Sequence, residues 1–475
     1  MARVVSFPPL FSASRPMTSS QTIRAGVIGT GQYATAIVTQ AQSIPNLDVS
    51  VVADRNLDAA HNAYQLAGID EDLILIATNR AEALQGLESG KKVVLEDASL
   101  MLDLPIDAIA EGTGSPSAAA EHALKAIENG KHVVMVTKEV DICVGPILRQ
   151  KAKQAGVVYT ASDGDQPSHL ISLIEWSREI GLEVLVGGKF GEKHVIIDVP
   201  GRQIRYQRGK TRDLSEKEAA LFKHIETPGP DMLKIIEQRK ELLGDSIDVR
   251  TDDLTEQGIV ANATGLSIER ERFHHPVAWP TEMPILLAPQ AYGGILEGRG
   301  VIEQTTYLRA NHDVSMGGGV YVTVHAVNAY SREVLSGKGH IGNPDNTSYL
   351  IFRPYHLCGV ETPYSILIAA LRNTPTSGWS MEQRYDSFGR AKQDLTAGTE
   401  LHGAHDDGWE TFLRPAVKLG QSATDESMPY HIATGHKLAR DVSAGTVLTQ
   451  VMVEGVAESS LWKLRIQQDD NAPRC

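Results

Sequence analysis

Residues Ala25-Gly26-Val27-Ile28-Gly29-Thr30-Gly31-Gln32-Tyr33-Ala34 run an apolar stretch into a glycine pair, and Ala34-Thr35-Ala36-Ile37-Val38-Thr39-Gln40-Ala41 follows at helical spacing. That order predicts a buried strand, a tight turn and a helix start. Gly29 allows the turn, Gly31 lets a backbone approach a phosphate, and Ala34 permits close packing of helix on strand. The helix opening at Gln32 and Tyr33 offers unpaired N–H groups to an anion.

A second apolar strand, Val49-Ser50-Val51-Val52-Ala53, ends at Asp54, twenty residues beyond Ala34. A carboxylate there is placed for the ribose hydroxyls of a dinucleotide and repels a 2′-phosphate. The spacing therefore predicts a nicotinamide dinucleotide site with NAD preferred. Arg55, which can meet a 2′-phosphate or stack on adenine, keeps NADP open.

Strand and helix patterns then alternate. Helices are expected over 57–68, 80–88, 117–129 and 147–155, and strands over 92–95, 106–111, 132–136 and 157–160. Such alternation predicts an α/β fold, a Rossmann-type parallel sheet whose ligand lies outside the carboxyl ends of the strands. Gly29–Ala34, Asp54-Arg55, Glu111–Ser115 and Thr137-Lys138 then converge on one crevice. Thr113, Gly114 and Thr137 become cofactor contacts, and the loop 162–167, carrying Asp165, leaves the last strand nearby.

Beyond Pro167 the alternation fails. Lys189 and Lys193 fall in what reads as a glycine-bearing loop, residues 201–258 read as charged and mostly helical, and β-type runs dominate to about residue 370. An α+β second domain with substrate contacts and a subunit interface is expected. Near the C-terminus Asp394-Leu395-Thr396-Ala397-Gly398-Thr399-Glu400-Leu401 recurs, forty-seven residues later, as Asp441-Val442-Ser443-Ala444-Gly445-Thr446-Val447-Leu448. Two copies are too few for a solenoid and suit one small pseudo-symmetric β domain. The expected organisation is a disordered or leader segment (1–22), a dinucleotide-binding domain (23–165), an α+β domain (166–385), a small β domain (386–460) and a tail (461–475).

A chain of 475 residues with a formal net charge of −14 is unsuited to nucleic acid and points to a small-molecule substrate. No apolar run reaches the length of a membrane span. Three scattered cysteines, Cys143, Cys358 and Cys475, form neither a disulfide framework nor a metal cluster. A reducing, cytoplasmic location, no metal, and a homo-oligomer are the expectations.

Glu111-Gly112-Thr113-Gly114 and Asn129-Gly130-Lys131-His132-Val133-Val134-Met135-Val136-Thr137-Lys138-Glu139 resemble the homoserine dehydrogenase type of dinucleotide domain. With Gly164-Asp165-Gln166-Pro167-Ser168, Pro289–Leu296, Arg353-Pro354-Tyr355-His356-Leu357 and the repeated Ala-Gly turns, the chain resembles the homoserine-dehydrogenase-like oxidoreductases that end in a SAF (antifreeze-protein-like, β-clip) domain. That group includes 1-deoxy-D-xylulose 5-phosphate reductoisomerase-like enzymes. The resemblance implies a dehydrogenase or reductase with Lys138 at the reacting hydroxyl. Asp54 and Lys138 depart from the reductoisomerase-like members and favour a simpler dehydrogenase.

Lys138 thus leads the catalytic candidates, as an electrostatic aid or as a base if burial lowers its pKa; Lys189 and Asp165 follow. Lys193, Arg353 and His356 are candidates for an anionic substrate group, the Arg353 pair being equally suited to an interdomain ion pair. The expected function is hydride transfer between nicotinamide and a small hydroxylated, anionic substrate. A sugar-phosphate reductoisomerase and a non-catalytic dinucleotide sensor are the alternatives.

Overall fold

The computed structural model describes residues 21–193, 195–206, 209–403 and 407–471; most of the expected leader segment and Cys475 lie outside them. Seven strands form the first sheet: β1 (Ile23–Ile28), β2 (Leu47–Ala53), β3 (Ile74–Ile76), β4 (Lys92–Leu95), β5 (Ala108–Glu111), β6 (His132–Met135) and β7 (Tyr159–Ala161). Their order is β3-β4-β2-β1-β5-β6-β7 and every pairing is parallel. Helices cover both faces, so Val27, Val49, Val52, Val94 and Val134 are fully buried and the strands read as continuous apolar runs. The strand order reverses between β1 and β5, which opens a crevice at their carboxyl ends. The Rossmann-type sheet is as expected.

The helix expected to begin at Ile147 begins at Lys138 and runs to Ala155, kinked at Val144 (φ −140°) just before Pro146. The proline hid its first two turns, because Pro disfavours a helical residue before it.

The second sheet holds β8 (Glu183–Phe190), β9 (Val195–Asp198), β10 (Gln203–Tyr206), β11 (Thr211–Asp213), β12 (Val277–Ala278), β13 (Val301–Arg309), β14 (Val320–His325) and β15 (Ser348–Arg353). The order is β11-β10-β9-β13-β8-β14-β15, with β12 beside β13. Lys189 is therefore in the middle of a strand, fully buried, and not in a loop. The glycines that suggested a loop answer to packing: a Cβ on Gly188 would collide with the Tyr321 ring. Likewise the segment 201–258 is mixed, with β10 and β11 preceding helices Glu216–Leu221 and Pro230–Leu243. A central helix, Thr251–Thr264, packs against the Lys138 helix, the helix Gln166–Glu179 and β13. Asp253 to Asn262 are all buried in it.

After β15 the chain crosses back. Helix Thr362–Arg372 packs on β5, β6 and the helix Gln32–Ala41, so part of the expected second domain completes the first. The C-terminal unit is built on the antiparallel pair β16 (Tyr385–Ala391) and β17 (Trp409–Pro415). Its two repeats face each other: Leu395 and Val442 exchange backbone hydrogen bonds of 2.8 Å in both directions. Ala444 N donates to Asp394 Oδ1 and Ala397 N to Asp441 Oδ1, both at 2.8 Å.

The expected tail is helical over its described residues. It forms a helix, Ser460–Asn471, with Trp462 and Arg465 fully buried. Arg465 reaches Asp386 at 2.8 Å and Asp469 at 2.9 Å, and Gln468 Oε1 accepts the Ile147 N–H at 3.1 Å. Its polar residues look solvated in sequence; their partners lie far away in the chain. Among the described residues no helix is long and apolar enough to cross a membrane.

Candidate active site

The glycine turn ends β1. Gly29 has φ +80°, and a Cβ there would lie 2.6 Å from the Gly112 carbonyl oxygen, so only glycine fits between the β1 and β5 turns. Gly31, by contrast, faces open space, with room for a bound group. Ala34 is buried where its helix meets β1, Gln32 is exposed at the helix start, and the Tyr33 hydroxyl turns to Ser162 Oγ at 3.3 Å.

Asp54 ends the second strand. Its carboxylate accepts from Thr30 N (2.7 Å), Thr30 Oγ1 (2.8 Å) and Asn56 N (2.9 Å). Burial pushes its pKa upward, but these hydrogen bonds and the Arg55 charge outweigh it and hold the group below its ordinary value. On the β5 side Thr113 Oγ1 donates to Glu111 Oε1 at 2.7 Å, and Gly114 N donates to Thr137 Oγ1 at 3.0 Å. A cleft of about 720 Å³ runs between these turns, lined by Gly29, Gly31, Asp54, Arg55, Thr113 and His122. Its shape, glycine floor and terminal carboxylate fit a dinucleotide.

Next to Thr137, at the first position of its helix, Lys138 is half-buried and its Nζ pairs with Glu256. The other Glu256 oxygen pairs with Lys189, whose Nζ also donates to Asp253 Oδ1 (2.6 Å) and Gln166 Oε1 (2.7 Å). All three Lys189 protons are thereby taken, so this side chain has no donor left for a substrate. Among the described residues Lys138 spends one, on Glu256, and keeps two.

Burial alone would lower the Lys138 pKa, but Glu256 and Asp165 raise it well above its ordinary value. The shift favours the ammonium, able to stabilise negative charge or give a proton, and runs opposite to the lowering a base would need. Glu256 is the converse: burial pushes it up, and the two lysines bring it below the usual carboxylate range. Asp165 heads the helix Gln166–Glu179, accepts Gln166 N at 2.9 Å, and is raised by burial although Lys138 and His356 oppose that. Glu139, beside Lys138, is pushed by burial to about 7.

His356 joins this group. Its Nδ1 lies 2.6 Å from the Gly318 carbonyl, and although burial opposes protonation, Cys358, Asp165 and that carbonyl raise it to about 9. Arg353 is held in an ion pair with Glu361 and lies 3.0 Å from His169 Nδ1, with Glu361 itself 2.7 Å from His169 Nε2. It is committed to a network joining β15 to the helix Gln166–Glu179. Lys193 is exposed beside Lys210 and Arg250, lining a different groove. The structure thus groups Lys138, Asp165 and His356 with Lys189 behind them, and leaves Lys193 out. Glu256, Asp253 and Gln166 were not found from sequence. The one local signal is the spacing of two acids three apart, Asp253 and Glu256, which puts both on one face of a helix.

Residues 25–161 match the family described as homoserine dehydrogenase, NAD binding domain, and residues 241–362 the family described as oxidoreductase DRL, catalytic domain. Lys138 comes from the first region, Glu256 and His356 from the second. A homoserine dehydrogenase from Methylobacillus glycogenes is 31% identical over 140 residues, covering 27% of this chain. The match spans only 28% of that relative's length. Among solved structures, apo scyllo-inositol dehydrogenase from Lactobacillus casei aligns at 14% identity and a TM-score of 0.35, covering 75% of this chain and 90% of that one. An NAD-binding protein from Listeria innocua aligns at 20% identity and a TM-score of 0.25, covering 38% and 47%.

Proposed function

From a chain that joins a homoserine-dehydrogenase-type NAD-binding domain to a DRL-type oxidoreductase catalytic domain, we propose an NAD-preferring dehydrogenase or reductase acting on a small hydroxylated, anionic substrate. The observation that carries the reading is the Lys138 ammonium, partly buried next to Thr137 of the cofactor turns and paired with Glu256. The chemistry that a nicotinamide would supply when bound in the cleft is hydride transfer. Lys138 hydrogen-bonds the reacting oxygen, stabilises the charge that builds there, and gives its proton in the direction of reduction. Asp165 orients a substrate hydroxyl, and the His356 imidazolium receives the anionic group. Lys189 stays in the second rank, fixing Glu256. The reading extends to a SAF-like β-clip at the C-terminus and a homo-oligomeric, cytoplasmic enzyme.

The test is to screen the purified protein with NAD and with NADP against small hydroxy acids, polyols and sugar phosphates, following the absorbance of reduced nicotinamide. A substrate-dependent rise is expected. Tight cofactor binding with no such change for any compound would favour a dinucleotide sensor instead.

Asp54 carries the cofactor preference. NADH should bind at least about tenfold more tightly than NADPH, a difference of about 1.4 kcal/mol. Asp54→Ser should erase most of it by removing the charge opposite a 2′-phosphate. Fluorescence titration with both reduced cofactors reads this directly, and tighter NADPH binding by the unaltered protein would refute it.

A further inference from the structure

The C-terminal β unit grips the back of the helix whose front holds the lysine cluster. Thr411 Oγ1, on β17, donates to Thr251 Oγ1 at 2.9 Å. His431, in the short helix Tyr430–Ala433 of the same unit, brings Nε2 to 2.7 Å from Thr255 Oγ1. Further along, Asn262 Nδ2 donates to the Tyr385 carbonyl at 3.0 Å, and Asn262 Oδ1 accepts the N–H groups of Arg384 (3.0 Å) and Tyr385 (2.8 Å).

Residues of a helix advance by about 100° each, so positions 251, 255 and 262 share one stripe. Asp253 falls roughly 180° and Glu256 roughly 120° from that stripe, toward the other side of the central helix. One face is therefore hydrogen-bonded to the C-terminal unit at three levels. The other presents the carboxylates that hold Lys189 and Lys138.

Thr255 is the neighbour of Glu256 in the chain, and His431 is 3% exposed. Burial and the nearby Lys138 charge keep its imidazole neutral, lowering it to about 3. A protonated ring would add a further cation to the Lys138 and Lys189 pair; a neutral one satisfies the Thr255 hydroxyl without doing so.

We infer that the C-terminal β unit is a positioning element of the active site: through His431 and Thr255 it sets the rotation of the central helix, and thereby where Glu256 holds the Lys138 ammonium. Neither residue touches the reacting atoms; both act through Glu256. The inference rests on the dehydrogenase reading only where turnover is the readout. Small misplacements of a catalytic group cost up to about a hundredfold in rate, so loss of the Thr255 hydroxyl, which joins His431 and also donates to the Thr251 carbonyl at 2.9 Å, is expected to be visible.

The decisive variant is Thr255→Val, which keeps the side-chain volume and removes the hydroxyl. It is expected to lower kcat about tenfold, with the NADH dissociation constant and KM within about twofold, and Thr255→Ser is expected to restore kcat. His431→Gln, altered on the other partner, should give the same split, and stands in if Thr255→Val does not fold. The Lys138 Nζ titration, followed by NMR in lysine-labelled protein, should fall toward the ordinary lysine value in both variants as Glu256 loosens. Unchanged kcat in both would overturn the inference, as would a loss of kcat, cofactor affinity and Tm together. If the unaltered protein turns over no substrate, the dehydrogenase reading fails on its own. The Lys138 titration then decides, and an unshifted value in both variants would overturn the positioning role.

Discussion

Lys138→Ala is expected to lower kcat by about two to four orders of magnitude, the range of a positioned general acid, while the NADH dissociation constant stays within about threefold. The two quantities separate because the cofactor cleft is built from the glycine turn, Asp54 and the β5 turn, none of which leans on the lysine side chain. The fold should survive the change. Glu256 keeps Lys189 as a partner, so the deletion strips one cation from the cluster without leaving a bare carboxylate. Steady-state kinetics and fluorescence titration of the same preparation check both halves. Turnover close to that of the unaltered enzyme would take Lys138 out of the chemistry.

Lys189→Met should do the opposite, and costs about 3–5 kcal/mol of stability, because it leaves two buried carboxylates facing each other without their common cation. Asp253 and Glu256 are each about 4% exposed, so water cannot take over the lysine's role. Denaturant melts measure the loss, and adding Asp253→Asn and Glu256→Gln should return part of it by removing the charges themselves. The pH dependence has a definite sign. Both carboxyls are depressed in the folded protein, mainly by the lysines working against burial. The stabilisation they give is full above the unfolded carboxylate range of about 3.9–4.3 and is lost as the pH falls through their lower folded values. A Lys189→Met melt as high as that of the unaltered protein would show that the cluster contributes nothing to the fold.

The cofactor half of the site was legible because its chemistry is local. Gly29, Gly31 and Asp54 carry their meaning in spacing alone, and a parallel strand buried on both faces announces itself as an apolar run. The substrate half was only partly legible. Lys138 could be placed by its strand end, but its protonation could not, since Glu256, the charge that raises it most, lies 118 residues away on the central helix. Lys189 was misread for a physical reason: flanking glycines suggest a loop, whereas here they make room for Ile174 and Tyr321 against a buried strand. Arg353 shows the limit of reading residue types. A guanidinium after a strand suits an anion or an ion pair equally, and only the positions of Glu361 and His169 decide for the pair.

The reciprocal contacts of the C-terminal repeats bear on how the chain acquires its shape. Asp394 closes the turn at Ala444 and Asp441 closes the turn at Ala397, so each copy supplies what the other lacks. The first copy to leave the ribosome has its backbone partners still unmade, and waits for the second before either can settle. Pairing across so many residues is slow to nucleate, because a long loop must close first. The central helix, already synthesised, takes its back contacts from residues 384, 385, 411 and 431, which belong to a unit completed only when the second copy pairs. Competence of the crevice would then arrive as one of the last steps of biogenesis, and a chain stalled between the two copies would be a binder of dinucleotide without an ordered site beside it.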